Sequence, residues 1–189
     1  MEALLLSTGL VALAEVGDKT QLLSFILAAR YQRPLPIVLG ILLATLVNHG
    51  LAASVGQLLA NLLGPEMLQW ILGLGFIAMA GWILIPDKED ELAPENDSSR
   101  TFARIFVLTL VLFFFAEMGD KTQIATIALA AELQSVVWVT VGTTLGMMIA
   151  NVPAVLVGEK LAEKLSGVLT RRLAALGFLL TGIAVLVTR

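Results

Sequence analysis

The chain has 189 residues, of which 58% are hydrophobic and 14% charged, and its mean hydropathy is +0.90. Soluble domains are about 45–50% apolar and about 25% charged, so this composition excludes a water-soluble globule and requires a surface that faces lipid. With no cysteine, one histidine and a net charge of −3, the sequence also excludes disulfides, thiolate and three-histidine metal sites, cysteine nucleophiles and a basic face for nucleic acid.

At roughly 20 residues per span, the apolar runs predict six helices, near 3–29, 35–60, 67–86, 103–131, 135–158 and 173–188. In the first, Ala12-Leu13-Ala14 looks like a leader cleavage site. The segment before it carries Glu2 and no basic side chain, the wrong flank for a leader, so helix 1 is expected to be retained. Arg30–Pro34 separates helices 1 and 2, and Asn61–Glu66, with Gly64-Pro65, separates helices 2 and 3. Residues 87–102 form an acidic stretch rich in Pro, Asn and Ser, which reads as a solvated linker more readily than as an ion-sensing loop. Between helices 5 and 6, Glu159–Arg172 intersperses Leu161, Leu165, Val168 and Leu169 with bases, the pattern of a short interfacial helix.

Lysine and arginine set orientation, because they are retained on the cytoplasmic side. Arg30, Arg33, Lys88, Arg100, Arg104, Lys160, Lys164, Arg171 and Arg172 all fall in alternate loops, against Arg189 on the other side. Both termini are therefore expected on the non-cytoplasmic side, with the linker in the cytoplasm.

The chain repeats itself. Glu15-Val16-Gly17-Asp18-Lys19-Thr20-Gln21 recurs 102 positions later as Glu117-Met118-Gly119-Asp120-Lys121-Thr122-Gln123. The same offset aligns Leu27-Ala28-Ala29 with Leu129-Ala130-Ala131, Gly40 with Gly142, and Gly75-Phe76 with Gly177-Phe178. The expected fold is thus an all-α integral membrane protein of six transmembrane helices. It is built as a three-helix repeat at 1–86, the linker at 87–102, and a second repeat at 103–189. An odd number of spans per repeat makes the second copy enter the membrane inverted, as in secondary transporters with a midplane site.

Glu15 and Glu117 fall near the middle of their predicted helices, too deep to snorkel, and intramembrane acids at such a cost are functional candidates. Each Glu could pair with the lysine four residues on, Lys19 or Lys121, as an intrahelical ion pair. That would leave Asp18 and Asp120 as a buried double negative charge, which a divalent cation neutralises. In a continuous helix Glu15 and Asp18 share a face, while Gly17 would let the backbone open. Two such faces supply Glu15, Asp18, Glu117 and Asp120 with the amides Gln21 and Gln123. Thr20 and Thr122 could ligate or only bond backbone carbonyls. An all-oxygen set suits Mn²⁺, Ca²⁺ or Mg²⁺. Asn48, His49 and Asn151 are polar positions in helices 2 and 5, candidates for the surroundings of the site, with helix–helix hydrogen bonds as the plainer reading. Gly40/Ala44 and Gly142/Gly146 space small residues for close helix packing.

On these two heptads the sequence resembles the manganese/calcium transporters of Golgi, plastid and bacterial membranes, which carry two copies of E-x-G-D-[KR]-[TS]. Both copies match at every fixed position, and the resemblance covers nearly the whole chain. It implies a cation/proton antiporter, not an enzyme, that moves Mn²⁺, or else Ca²⁺, out of the cytoplasm and binds it through the acidic motif residues. No cofactor is expected beyond the transported ion and the counter-ion protons. The lipid bilayer and the divalent cation are the expected partners, and a bacterial member would reside in the inner or plasma membrane. From the residues themselves, a small-solute exporter of the amino-acid type remains an alternative. A membrane-embedded lipid phosphate hydrolase is weaker, since no mid-membrane arginine offers a phosphate clamp.

Overall fold

The computed structural model describes residues 1–85, 101–157 and 167–188. The linker 87–102 lies almost wholly outside the described residues, as does much of the expected interfacial helix at Glu159–Arg172. The described chain is all helix: α1 Glu2–Glu15, α2 Lys19–Tyr31, α3 Pro34–Leu62, α4 Pro65–Ile83, α5 Phe102–Glu117, α6 Lys121–Leu133 and α7 Val136–Val157, with α8 at Gly167–Thr188. The second four elements reproduce the first four with the offset of the sequence repeat.

One expectation is corrected. Neither 3–29 nor 103–131 is a continuous helix, because each stops at its motif glutamate and restarts at its motif lysine. The reason is local. Gly17 and Gly119 adopt φ of 82° and 74°, a left-handed conformation that an α-helix cannot contain and that glycine enters without a Cβ penalty. Across the second break the two helices bend by 71°. α3, Glu66–Ile83 of α4 and Val136–Leu156 of α7 are each long and apolar enough to cross a membrane, and α5 with α6 makes a fourth candidate span if the bent pair is one.

Packing is reciprocal between the halves. α1 lies on α7 as α3 lies on α5, and α4 lies on α8. A Cβ on Gly40 would come within 2.7 Å of Thr109 Cβ and 3.0 Å of the Phe106 carbonyl. One on Gly142 would come within 2.9 Å of Ser7 Cβ and 2.8 Å of the Leu4 carbonyl. Ser7 and Thr109, like Leu4 and Phe106, are repeat counterparts, so both interfaces use the same contact. Phe76 stacks on its own counterpart Phe178, ring centroids 6.2 Å apart. Lipid gives no hydrophobic drive to join helices, so close approach at small residues supplies the attraction. Apolar side chains accordingly cover the outer surface as well as the core, and α3 buries Ile37, Ile41 and Ala44 on its inner face. α3 exposes Leu39, Leu42, Leu43, Leu46 and Val47 while burying Thr45, Asn48 and His49.

Candidate functional site

The two breaks are built alike. Each closes with a tight backbone bond, Asp18 N–H to the Glu15 carbonyl at 3.1 Å and Asp120 N–H to the Glu117 carbonyl at 3.2 Å. The aspartates stand in extended conformation as N-caps of α2 and α6, but neither side chain makes a capping bond. That work falls to the glutamines. Gln21 Oε1 accepts the Gly17 N–H at 2.9 Å, and Gln123 Oε1 accepts the Gly119 N–H at 2.7 Å. A glutamine in the third helical position thus reaches back over the helix start, much as in a capping box.

The glutamines also tie each break to the opposite half. Gln21 Nε2 donates to the Ala150 carbonyl of α7 at 3.0 Å, and Gln123 Nε2 donates to Asn48 Oδ1 of α3. Ala150 and Asn48 are repeat counterparts. Asn48 Nδ2 in turn donates to the Phe114 carbonyl at 3.1 Å. Asn151 accepts from Ser24 Oγ at 2.8 Å and donates to the Met147 carbonyl at 3.0 Å. Each asparagine therefore joins its own helix to another, Asn48 linking α3 to α5 and Asn151 linking α7 to α2. Ser24 is a site neighbour that the sequence reading missed. The signal was present, since its counterpart Thr126 is also a hydroxyl, three residues beyond the motif glutamine on the same helical face.

The carboxylates lie where the breaks converge. Glu15 and Glu117 have no exposed surface, Asp120 is buried and Asp18 half-buried. One oxygen each from Glu15, Asp18 and Asp120 lies within 4.8 Å of the others, so both copies contribute to a single cluster. Glu117 falls outside this triplet, beside His49 of α3, whose Nε2 is 3.9 Å from Glu117 Oε2. The threonines neither bond backbone carbonyls nor stand apart. Thr20 Oγ1 donates to Glu15 Oε2 at 2.6 Å, and Thr122 Oγ1 donates to Glu117 Oε2 at 3.0 Å, with a longer 3.4 Å contact to Asp120. Each glutamate thus has one oxygen fixed by a hydroxyl, while the other, Oε1, is buried without a protein partner.

The lysines leave their own glutamates. Lys19 Nζ lies 2.9 Å from Asp120 Oδ1, across the repeat, and Lys121 Nζ donates to the Ile85 carbonyl at 2.9 Å. The intrahelical Glu–Lys pairing weighed from sequence is not what the fold adopts. Such a site, with several anionic oxygens, hydroxyl support and the carbonyl-rich C-termini of α1 and α5 alongside, can hold a small hard cation and partly dehydrate it.

Comparison with known proteins agrees with this chemistry. The profile of a family described as divalent cation/proton antiporter GDT1 matches residues 3–91 and 105–189. A Vibrio cholerae protein that carries the name of a proposed manganese exporter is 52% identical, over 97% of this chain and 90% of its own length. The GDT1-like protein 5 of Arabidopsis thaliana is 29% identical over 96% of this chain and 94% of its own. The GDT1-like protein 3 of Oryza sativa subsp. indica is 31% identical over 87% and 66%. No solved structure matches. With two matching segments that together cover nearly all of its length, the chain belongs to the GDT1 family of divalent cation/proton antiporters, membrane transporters rather than enzymes.

Proposed function

We propose that the protein exports a divalent cation, Mn²⁺ foremost, from the cytoplasm in exchange for protons. The observation that carries this reading is the meeting of Glu15, Asp18 and Asp120, from both motif copies, within 4.8 Å at two helix breaks. Oxygen donors of this kind suit Mn²⁺, Ca²⁺ and Mg²⁺, and the Vibrio cholerae relative's name favours manganese. Glu117, Thr20, Thr122, Gln21 and Gln123 complete the site, the threonines and glutamines chiefly by holding the acids and the breaks in place. A dication and protons compete for the same carboxylates, and that competition couples the two fluxes.

The chain is read as six spans, α1 with α2 and α5 with α6 each forming one broken span, in two inverted repeats with both termini on the non-cytoplasmic side. The reciprocal contacts of α1 on α7 and α3 on α5 support the two-fold relation. The basic loops support the orientation. Alternating access then amounts to one repeat rocking against the other about the shared cluster.

Proteoliposomes test the exchange. An imposed pH gradient should drive Mn²⁺ uptake and shift luminal pH in the opposing sense. A flux that follows membrane potential, without proton movement, would make the protein a uniporter and overturn the exchange mechanism.

A further inference from the structure

His49 is the chain's one histidine, has no exposed surface, and sits on α3, outside both motifs. Neither Nδ1 nor Nε2 has a hydrogen-bond partner. An imidazole buried in this way is costly, since an unmade buried hydrogen bond costs about 1–3 kcal/mol. It is also not alone. The polar atoms without protein partners around it include Thr45 Oγ1, four residues earlier on the same helix, and Glu117 Oε1 on α5. Asn48, next to His49 in the chain, does not share this condition, because it is engaged at both ends of its amide. The repeat counterpart of His49, Asn151, is likewise engaged at both ends.

We infer that His49 is a nitrogen ligand for the transported cation and, with Glu117, forms a second station of the site that selects transition-metal dications over Ca²⁺ and Mg²⁺. The inference rests on the divalent-cation reading above and deepens it. The separation fits: two donors of one first-row dication, each about 2.0–2.2 Å from it, are at most about 4.4 Å apart, and His49 Nε2 is 3.9 Å from Glu117 Oε2. The chemistry gives the selectivity. Ca²⁺ and Mg²⁺ take oxygen donors, whereas first-row transition dications also accept neutral imidazole. The triplet Glu15, Asp18 and Asp120 offers only oxygen, so it discriminates little between Mn²⁺ and Ca²⁺. A station with one nitrogen adds that discrimination. Because Asn151 is tied to Ser24 and Met147, the nitrogen exists in one half only, and the two halves of the pseudo-symmetric site are chemically unequal.

A single imidazole makes the test unambiguous. The full-length protein, purified without a histidine tag, is loaded with Mn²⁺ and read by pulsed electron paramagnetic resonance for nitrogen hyperfine coupling. The wild type should show imidazole nitrogen coupled to bound Mn²⁺, and His49→Gln should lose it while still binding. In proteoliposomes, His49→Gln should weaken Mn²⁺ transport affinity by about tenfold or more with Ca²⁺ inhibition of that transport changed less than about twofold. Bound Mn²⁺ without nitrogen coupling overturns the inference and leaves the carboxylate site standing. No Mn²⁺ binding at all overturns both. Should His49→Gln fold poorly, the wild-type spectrum decides by itself, and His49→Asn, which copies the counterpart Asn151, serves as the transport variant.

Discussion

Lys19 of the first motif and Asp120 of the second are joined by an ion pair 2.9 Å long, with the lysine about one-third exposed and the aspartate almost fully buried. The pair crosses the internal repeat and places an ammonium on one of the three clustered carboxylates, so a dication at the proposed site would compete with it. Lys121 Nζ donates to the Ile85 carbonyl of the first half at 2.9 Å, so both motif lysines reach across the internal repeat.

Lys19→Gln should therefore tighten Mn²⁺ binding, by about tenfold, and slow turnover, because a competing cation is lost from a low-dielectric site where charge pairs are strong. Equilibrium binding together with initial transport rates checks both. Weaker binding in this variant would mean that Lys19 holds Asp120 in position instead of competing for it.

Glu15→Gln, Asp18→Asn, Glu117→Gln and Asp120→Asn should each reduce cation transport at least about a hundredfold at normal membrane expression, because each removes a charge at nearly constant shape from the proposed dication site. Proteoliposome flux normalised to inserted protein is the measurement. Full activity in any two of these variants would sink the shared-site reading.

Gly119→Ala isolates backbone conformation from packing. A Cβ there would meet nothing within 4 Å, but φ of +74° is left-handed, and an L-residue pays about 1–2 kcal/mol for that region. The variant should lose about that much stability and should lose transport, measured by thermal unfolding in detergent and by flux. Gly9→Ala, in the interior of α1 with equally open surroundings, should be neutral or slightly stabilising. Equal behaviour of the two variants would show that the helix break does not depend on glycine.

Gly40→Leu and Gly142→Leu probe the reciprocal interfaces. Each side chain would collide with the facing helix at Thr109 or Ser7, and overpacking of this sort typically costs about 1–3 kcal/mol. Because the two contacts are counterparts, the two losses should match within about 0.5 kcal/mol by unfolding measurements. A large loss at one glycine and none at the other would argue against equivalent packing of the halves.

The chain's lack of cysteine allows clean labelling of its orientation. Ser98→Cys should react with an impermeant maleimide from the cytoplasmic side and Gly64→Cys from the opposite side. The reverse pattern would invert the proposed membrane topology and, with it, the proposed direction of transport.

Membrane residence, the duplication and the chemistry of the site were legible in the residues. An apolar excess has to face lipid, a heptad repeated with four acids cannot be hidden by chance, and Glu, Asp, Thr and Gln offer oxygen whatever their coordinates. Three matters were settled only by tertiary structure. Glycine permits either a helix or a break, so Gly17 and Gly119 did not reveal their positive φ until the surrounding bonds from Gln21 and Gln123 fixed it. The lysines had a partner four residues away in sequence, but the break turns that helical neighbour aside and brings Asp120 of the other half to Lys19. The separation of the acids into a triplet and a Glu117–His49 pair depends on how α3 crosses α5. That crossing is set by small residues such as Gly40 meeting the facing backbone. In lipid, hydrophobic periodicity distinguishes little between the faces of a helix, so the sequence specified the oxygen donors while close packing decided which of them meet.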